Sequence, residues 1–200
     1  MSAPSPTPTP LQIGLVLFPR VTQLDFTGPL QVFSSLPGAK VHLIWKRIEP
    51  VPSDSVLVLT PTTTFADCPQ LDVVCVPGGF GINALMADEA TLAFVRRQAE
   101  GARFVTSVCT GALVYAAAGL LSHRPATTHW AAFDELRALD PTVELREHDR
   151  WVDDVPCFER YRDGQRVGEQ LHNRRRCILS LPGQRYWLVG ANFQCSLHDH

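Results

Sequence analysis

Short apolar runs alternate with amphipathic segments from residue 11 to residue 154. Runs of apolar and β-branched residues predict buried strands at 11–18, 41–45, 71–77 and 104–108, an added edge strand at 55–59, and short strands at 126–128 and 143–146. Apolar positions at helical spacing predict helices at 89–99, 112–118 and 131–139. A helix after the first strand is expected to begin at Thr27 with Pro29 in its first turn, and Gly119 should end the alanine-rich helix.

Strands separated by helices of this length predict parallel βαβ units with right-handed crossovers. The predicted fold class is therefore α/β, a doubly wound, mostly parallel sheet with helices on both faces. Such sheets bind ligands at the edge where the carboxyl ends of the strands meet. The glycine-containing turns after Phe18, Val76 and Val108 should converge at this edge.

The composition narrows the classes of function. The 200-residue chain is 45% hydrophobic and 19% charged with a formal net charge of −2, which gives no reason to expect nucleic acid or a membrane surface as a partner. No apolar run approaches the roughly 20 residues of a membrane-spanning helix, and residues 1–10 lack the pattern of a signal peptide. We therefore expect a cytoplasmic protein with reduced thiols, because its six cysteines form neither a CxxC pair nor a dense framework.

The chain divides into three segments. Residues 1–10 alternate Ser, Thr and Pro, which predicts a disordered leader, and residues 11–154 form the α/β domain. Residues 155–200 are rich in Arg, Gln, Asn and Cys without a sustained period, which predicts a divergent, poorly ordered tail. We interpret its basic cluster around Arg175 as a solvated face, and His198 and His200 as a frayed terminus rather than metal ligands.

Cys109 is the strongest candidate for a reactive residue. It stands between an apolar strand and an alanine-rich helix, in the strand-to-helix turn called a nucleophile elbow. Its small neighbours Thr110 and Gly111 let the strand and the helix pack closely, and the helix N-terminus is expected to favour the thiolate. A free cysteine is more often a buried core residue, and we assign Cys68 and Cys75, which lack this context, to structure.

Other positions could complete a site beside this cysteine. Gly78 and Gly79 end a strand, where their N–H groups could bind an oxyanion together with the N–H of Thr110, although a Gly-Gly pair alone is more often a plain turn. Asp25 follows the first strand and could hold or pass a proton, or only cap a helix. His129 is a possible base near the pocket, but an isolated histidine is more often structural.

Four motifs occur together in this chain: Leu24-Asp-Phe-Thr-Gly-Pro29, Val76-Pro-Gly-Gly79, Ser107-Val-Cys-Thr-Gly111 and Thr127-Thr-His-Trp130. With them the chain resembles the PfpI/ThiJ superfamily of class I glutamine amidotransferase-like domains, and within it the isonitrile hydratase-like branch. The resemblance covers residues 11 to 154 and implies a flavodoxin-like fold, a nucleophile at Cys109 and an acidic partner at Asp25. Thr110 stands where other branches carry a histidine, which favours the hydratase-like branch over the peptidase-like one.

The resemblance implies a lyase reaction that hydrates an isonitrile to an N-substituted formamide. Cys109 would attack the isonitrile carbon to give a thioimidate, while Asp25 would supply a proton and then activate water. The resemblance implies neither a metal nor an organic cofactor, only a small-molecule substrate, and it allows a homodimer as in the family.

Two alternatives stay open. The first is a ligand-sensing or inactive module, because related domains are fused to DNA-binding helix-turn-helix pairs. The span after Asp154 is expected to be too short for such a pair. The second is a glyoxalase- or deglycase-like activity, whose branches usually carry a Glu near the first strand and a His near the cysteine. This chain has Thr110 there instead.

The chain departs from the family pattern after Asp154. Family members continue with a short strand, a turn of small residues and a long apolar helix that packs on the sheet, and residues 155–200 contain no recognisable counterpart. The available cover is two short apolar runs at 177–179 and 186–189. We therefore expect an open apolar face, poor solubility, weak or absent activity and rapid tryptic trimming of the tail.

Overall fold

The computed structural model describes residues 10–152 and four short strands between residues 161 and 187. The strands up to residue 152 are β1 Leu11–Val16, β2 Ala39–Trp45, β3 Val51–Pro52, β4 Val58–Leu59, β5 Thr63–Thr64, β6 Val73–Val76, β7 Phe104–Ser107, β8 Pro125–Ala126 and β9 Glu144–Leu145. The helices are α1 Gln23–Ser34, α2 Ile82–Met86, α3 Glu89–Gly101, α4 Ala112–Ala117 and α5 Phe133–Leu139. Single 3₁₀ turns lie at Cys109–Gly111 and Trp130–Ala132.

The central sheet has five strands in the order β5-β2-β1-β6-β7, and all its pairings are parallel. β1 lies in the middle, where Leu15 pairs with Leu43 on one side and with Cys75 on the other. From β1 the chain moves outward in one direction to β2 and β5, then returns to β6 and moves outward in the other direction. Right-handed crossovers that run in opposite directions place their helices on opposite faces. The predicted α/β fold is therefore confirmed.

The core forms where this sheet is covered on both faces. Ile13, Leu15 and Val16 of β1 are fully buried, and none of the four residues of β6 is more than 1% exposed. Helix α1 adds the fully buried rings of Phe26 and Phe33. Continuous apolar strands are expected in a parallel sheet, because neither face meets water.

The topology positions the functional edge. β1 and β6 are neighbours whose onward connections run in opposite directions, which makes the gap between them the switch point of the sheet. A crevice opens at such a point beside the carboxyl ends of the strands. Asp25 follows β1 and Gly78 follows β6, so both lie at this crevice.

The first helix begins earlier than predicted. Helix α1 starts at Gln23 after the N-cap Thr22, Pro29 lies inside it, and Thr27 donates its hydroxyl to the Gln23 carbonyl rather than capping the helix. The Gln23 N–H instead donates to Oδ1 of Asp54, at 3.0 Å. The helix therefore begins where a distant loop satisfies its free N–H, a signal absent from the local sequence.

The predicted edge strand at 55–59 is also corrected. Its second half, β4, pairs antiparallel with β3 as a separate two-stranded ladder. β5 lies at the edge of the central sheet instead, preceded by Thr62, whose N–H donates to the Leu43 carbonyl at 2.8 Å. Likewise β8 and β9 pair with each other outside the central sheet.

Beyond residue 152 the described backbone forms β10 Tyr161–Arg162 with β11 Gln165–Arg166, and β12 Ile178–Leu181 with β13 Gln184–Trp187, both antiparallel. The predicted leader at 1–10 and most of the predicted tail at 155–200 lie outside the described residues. Each helix in the described residues is too short or too polar to span a lipid bilayer.

Candidate active site

Cys109 lies in a sharp turn between β7 and α4. Its backbone has a φ of +53°, in the left-handed region that non-glycine residues rarely adopt. The turn is possible because Gly111 has no side chain, since a Cβ there would clash with the carbonyl oxygen of Val76. The predicted elbow is present in the backbone, and its unfavourable conformation is typical of functional sites.

Gly78 lies at the centre of the candidate site. A Cβ placed on it would lie 2.7 Å from Oδ2 of Asp25, 2.8 Å from Cβ of Cys109 and 2.8 Å from the backbone nitrogen of Thr110. These distances are too short for real Cβ contacts, so only glycine allows the three groups to meet. The turns after β1, β6 and β7 therefore converge as predicted.

Asp25 is buried in this cluster. It lies in the first turn of α1, is only 5% exposed, and its Oδ2 has no hydrogen-bond partner among the described residues. Burial raises the pKa of its carboxyl, although the nearby Cys109 thiol and the Gly78 N–H both lower it. Asp25 does not cap α1, because the N-cap is Thr22. A buried carboxyl oxygen without a partner is suited to taking up or releasing a proton.

The pKa of the Cys109 thiol is raised in this geometry. Burial is the largest effect and the negative charge of Asp25 the next, and together they raise the pKa of the thiol to about 12. This direction is opposite to that expected from the helix start alone, because desolvation outweighs the donors there. The pKa values of Cys68 and Cys75 are raised to about 11, so faster labelling of Cys109 near neutral pH no longer follows.

Thr110 connects the glycine turn to the thiol. Its hydroxyl oxygen accepts a hydrogen bond from the Gly79 N–H at 3.1 Å, and both its own N–H and its hydroxyl lower the pKa of Cys109. Because a hydroxyl that accepts from one group has its single proton available for another, Thr110 can stabilise sulfur as it becomes negative. The Gly79 N–H is already paired here, and oxyanion binding by Gly78, Gly79 and Thr110 stays a prediction.

The segment after β8 closes the site from another side. The hydroxyl of Thr128 donates to the Cys109 carbonyl at 3.0 Å, a positioning contact that the sequence reasoning missed although Thr128 belongs to one of its four motifs. Nδ1 of His129 accepts a hydrogen bond from the Ala131 N–H at 3.3 Å. His129 also lowers the pKa of the Asp25 carboxyl, as the smallest of the effects on it. His129 thus caps the following turn while lying near the carboxyl.

The remaining described cysteines lie elsewhere. Cys75 is buried within β6, and Cys68 is half-buried in the loop after β5. In the described part of the chain, no group of three or more His, Cys, Asp or Glu side chains is arranged to hold a metal ion.

Residues 12–167, more than three quarters of the chain, match the model of the DJ-1/PfpI family. The chain belongs to the DJ-1/PfpI family. The match extends past residue 154, where the sequence pattern had placed the end of the domain. Family membership agrees with the parallel sheet and with the position of Cys109 at its carboxyl edge.

Relatives of this DJ-1/PfpI chain have different roles. It is 62% identical over 129 residues to an isonitrile hydratase of Pseudomonas putida, covering 64% of this chain and 57% of that protein. It is 28% identical over 143 residues to the HTH-type transcriptional regulator GbdR of Pseudomonas aeruginosa, covering 68% and 38% of the two chains. A crystal structure of a ThiJ/PfpI family protein from Pseudomonas syringae superposes with a TM-score of 0.67 at 37% identity, covering 76% and 66%. The chain therefore spans little more than half the length of the isonitrile hydratase it matches.

Proposed function

We propose that this chain hydrates isonitriles to N-substituted formamides, with Cys109 as nucleophile and Asp25 as proton carrier. The observation that carries the proposal is the buried, unpartnered Oδ2 of Asp25, which meets Cys109 across the face of Gly78. The identity of 62% to an isonitrile hydratase over 129 residues supports the choice of substrate class. The position at which this reaction would take place is bordered by Asp25, Gly78, Cys109 and Thr110.

In the first step the thiol adds to the terminal carbon of R–N≡C. The sulfur of Cys109 forms a bond to that carbon, and the thiol proton passes through Oδ2 of Asp25 to the same carbon. The product is the thioimidate Cys–S–CH=N–R, and no atom is left over. A thiol with a pKa of about 12 is a poor nucleophile on its own, so proton removal must accompany attack.

In the second step water adds to the thioimidate carbon. Asp25 takes a proton from the attacking water, and the imine nitrogen gains one, which gives a tetrahedral intermediate with an OH and a sulfur on the same carbon. Its collapse forms the formamide R–NH–CHO and breaks the carbon–sulfur bond. The proton then returns to the Cys109 sulfur, and the site is restored.

Thr110 and the glycine turn support both steps in this scheme. The hydroxyl of Thr110, held by the Gly79 N–H, stabilises the Cys109 sulfur whenever it carries negative charge. Gly78 keeps the nucleophile and the carboxyl in reach of one carbon atom. Such positioning is worth several orders of magnitude in rate when the reacting atoms are held about 3–3.5 Å apart.

The direct test is formamide formation from a small alkyl isonitrile, followed by NMR. We expect turnover by the wild-type chain and none by Cys109→Ala, whereas the matched variant Cys68→Ala should retain it, because Cys68 lies outside the site. Since the sequence of residues 155–200 has no recognisable counterpart of the family's closing helix, we expect turnover to be slow, and the assay should use enzyme in excess of substrate. No formamide from wild type under these conditions would refute the proposal.

A second candidate is a ligand-sensing module without catalysis. It is supported by the similarity to the regulator GbdR and by the raised pKa of the Cys109 thiol. A sensor would bind a ligand without converting it. The same assay separates the two, since stoichiometric binding of an isonitrile without formamide release would favour the sensor.

A further inference from the structure

Thr128 contacts the backbone of the reactive turn. It follows strand β8, which lies on a ladder outside the central sheet, and it is only 7% exposed. Its hydroxyl donates to the Cys109 carbonyl at 3.0 Å. Most buried hydroxyl groups have a hydrogen-bond partner, so this contact alone would need no functional explanation. Its consequence depends on the peptide group to which the Cys109 carbonyl belongs.

The Cys109 carbonyl and the Thr110 N–H are the two polar ends of one planar peptide group, and in the trans form they point in opposite directions. The N–H end donates to the Cys109 sulfur, where it lowers the pKa of a thiol that burial and the charge of Asp25 raise to about 12. Thr128 therefore holds one end of the peptide group whose other end stabilises negative charge on the nucleophile.

This peptide group lies in a strained turn. Cys109 has a φ of +53°, and a non-glycine residue keeps such a conformation only when the surrounding structure holds it there. Hydrogen bonds in a chain also polarise one another, so a donor on the carbonyl strengthens the N–H at the other end of the same peptide group. The Thr128 hydroxyl can thus both orient the Thr110 N–H and make it a better donor to sulfur.

We infer that Thr128 is a positioning residue for the nucleophile, whose hydroxyl fixes the Cys109–Thr110 peptide group so that the Thr110 N–H stabilises the charge that develops on sulfur during attack. Thr128 acts through this peptide group and not on the substrate. The role in hydration rests on the function proposed above. Because attack on any electrophile places charge on the Cys109 sulfur, the same contact also acts in a simple alkylation, which can be measured without hydration.

The test is the rate of Cys109 alkylation by iodoacetamide at pH 9, divided by that of Cys68 in the same molecule and measured by mass spectrometry of both peptides. Thr128→Val keeps the shape of the side chain but lacks the donor, and it should lower this ratio about three- to tenfold, the effect of one hydrogen bond. A purely structural loss would loosen the turn, expose the thiol and raise the ratio instead. The sign therefore separates the two roles.

Thr128→Ser retains the hydroxyl and should restore the wild-type ratio, and Thr128→Ala should lower it as valine does if the valine variant fails to fold. The matched control is Thr106→Val, which removes a hydroxyl that donates to the Val74 carbonyl at 3.3 Å, away from this peptide group, and should leave the ratio unchanged.

An unchanged or raised ratio in the variants without the Thr128 hydroxyl, an equal fall in Thr106→Val, or no recovery in Thr128→Ser would overturn the inference. If the ratio falls as expected and wild type never forms formamide, the positioning role of Thr128 stands and the proposed hydration fails.

Discussion

The Asp25 carboxyl and the Cys109 thiol act on each other in opposite directions. The negative charge of Asp25 raises the pKa of the thiol, whereas the thiol lowers the pKa of the carboxyl, and burial raises both. Burial therefore favours a proton held within this pair. This proton lies between the atom that must lose it and the oxygen that can carry it to the substrate.

Replacing Asp25 with asparagine should speed the alkylation of Cys109 and slow the formation of formamide. Loss of the negative charge lowers the pKa of the thiol, so alkylation by iodoacetamide at pH 8 should be faster than in wild type. Formamide formation should fall by roughly 10²- to 10⁴-fold, the usual contribution of a proton-transfer group. Both rates are measured on the same preparation.

The control for this variant is Asp54→Asn. Oδ1 of Asp54 accepts the Gln23 N–H at the start of α1, and the charge of Asp54 is one of the smaller effects that raise the pKa of Asp25. Asparagine caps a helix as well as aspartate does. Its alkylation and turnover should match wild type. A slower alkylation in Asp25→Asn, or full turnover, would contradict the assigned role.

Asp25 should also set a pH dependence of stability. The pKa of Asp25 is raised in the folded state. Its contribution to the free energy of unfolding is therefore most favourable below the ordinary aspartate pKa near 3.8, and it is lost as the pH rises through the folded-state pKa. Asp25→Asn cannot ionise and avoids this loss. Urea unfolding of both proteins should therefore show the variant equal or more stable at pH 7, with the difference shrinking toward pH 4. A variant that loses stability at pH 7 would contradict this sign.

Thr110→Val should slow the alkylation of Cys109, while valine keeps nearly the same shape as threonine. The variant removes the hydroxyl that accepts the Gly79 N–H and lowers the pKa of Cys109, so alkylation at pH 9 should fall while stability drops by about 1 kcal/mol. Thr106→Val is the matched control, since Thr106 donates to the Val74 carbonyl at 3.3 Å instead. Equal alkylation rates in Thr110→Val and Thr106→Val would show that the Thr110 hydroxyl does not stabilise the Cys109 sulfur.

Gly78→Ala tests whether the meeting of three groups requires glycine. The added methyl would force apart Asp25, Cys109 and Thr110, which should abolish turnover and destabilise the fold by about 1–3 kcal/mol. Gly28→Ala places the same methyl in α1 with nothing within 4 Å, and should stabilise by about 0.5–1 kcal/mol with turnover intact. Turnover in Gly78→Ala close to wild type would show that the contact at this position is dispensable.

Features carried by local residue patterns could be predicted from the sequence. The central strands are predictable because β1 and β6 are mostly apolar, and the elbow because the residues directly after Cys109 are small. The convergence of Asp25, Gly78 and Cys109 followed from the rule that parallel strands share a carboxyl edge.

Features that depend on distant contacts could not be predicted. Helix α1 begins at Gln23 because Asp54, in the loop between β3 and β4, accepts its N–H. The pKa of Cys109 depends on how deeply the thiol is buried and on the charge of Asp25. Neither burial nor the contact of Thr128 with the Cys109 carbonyl can be deduced from spacing along the chain.

The central claim is that Cys109 bonds covalently to the isonitrile carbon on the way to formamide. The most direct measurement is rapid-quench mass spectrometry of the Cys109 peptide, with enzyme in excess over cyclohexyl isonitrile. We predict that the peptide gains the full mass of the isonitrile and then loses it as N-cyclohexylformamide appears. Formamide released by Cys109→Ala at the wild-type rate, or released by wild type with no adduct on the way, would contradict the account.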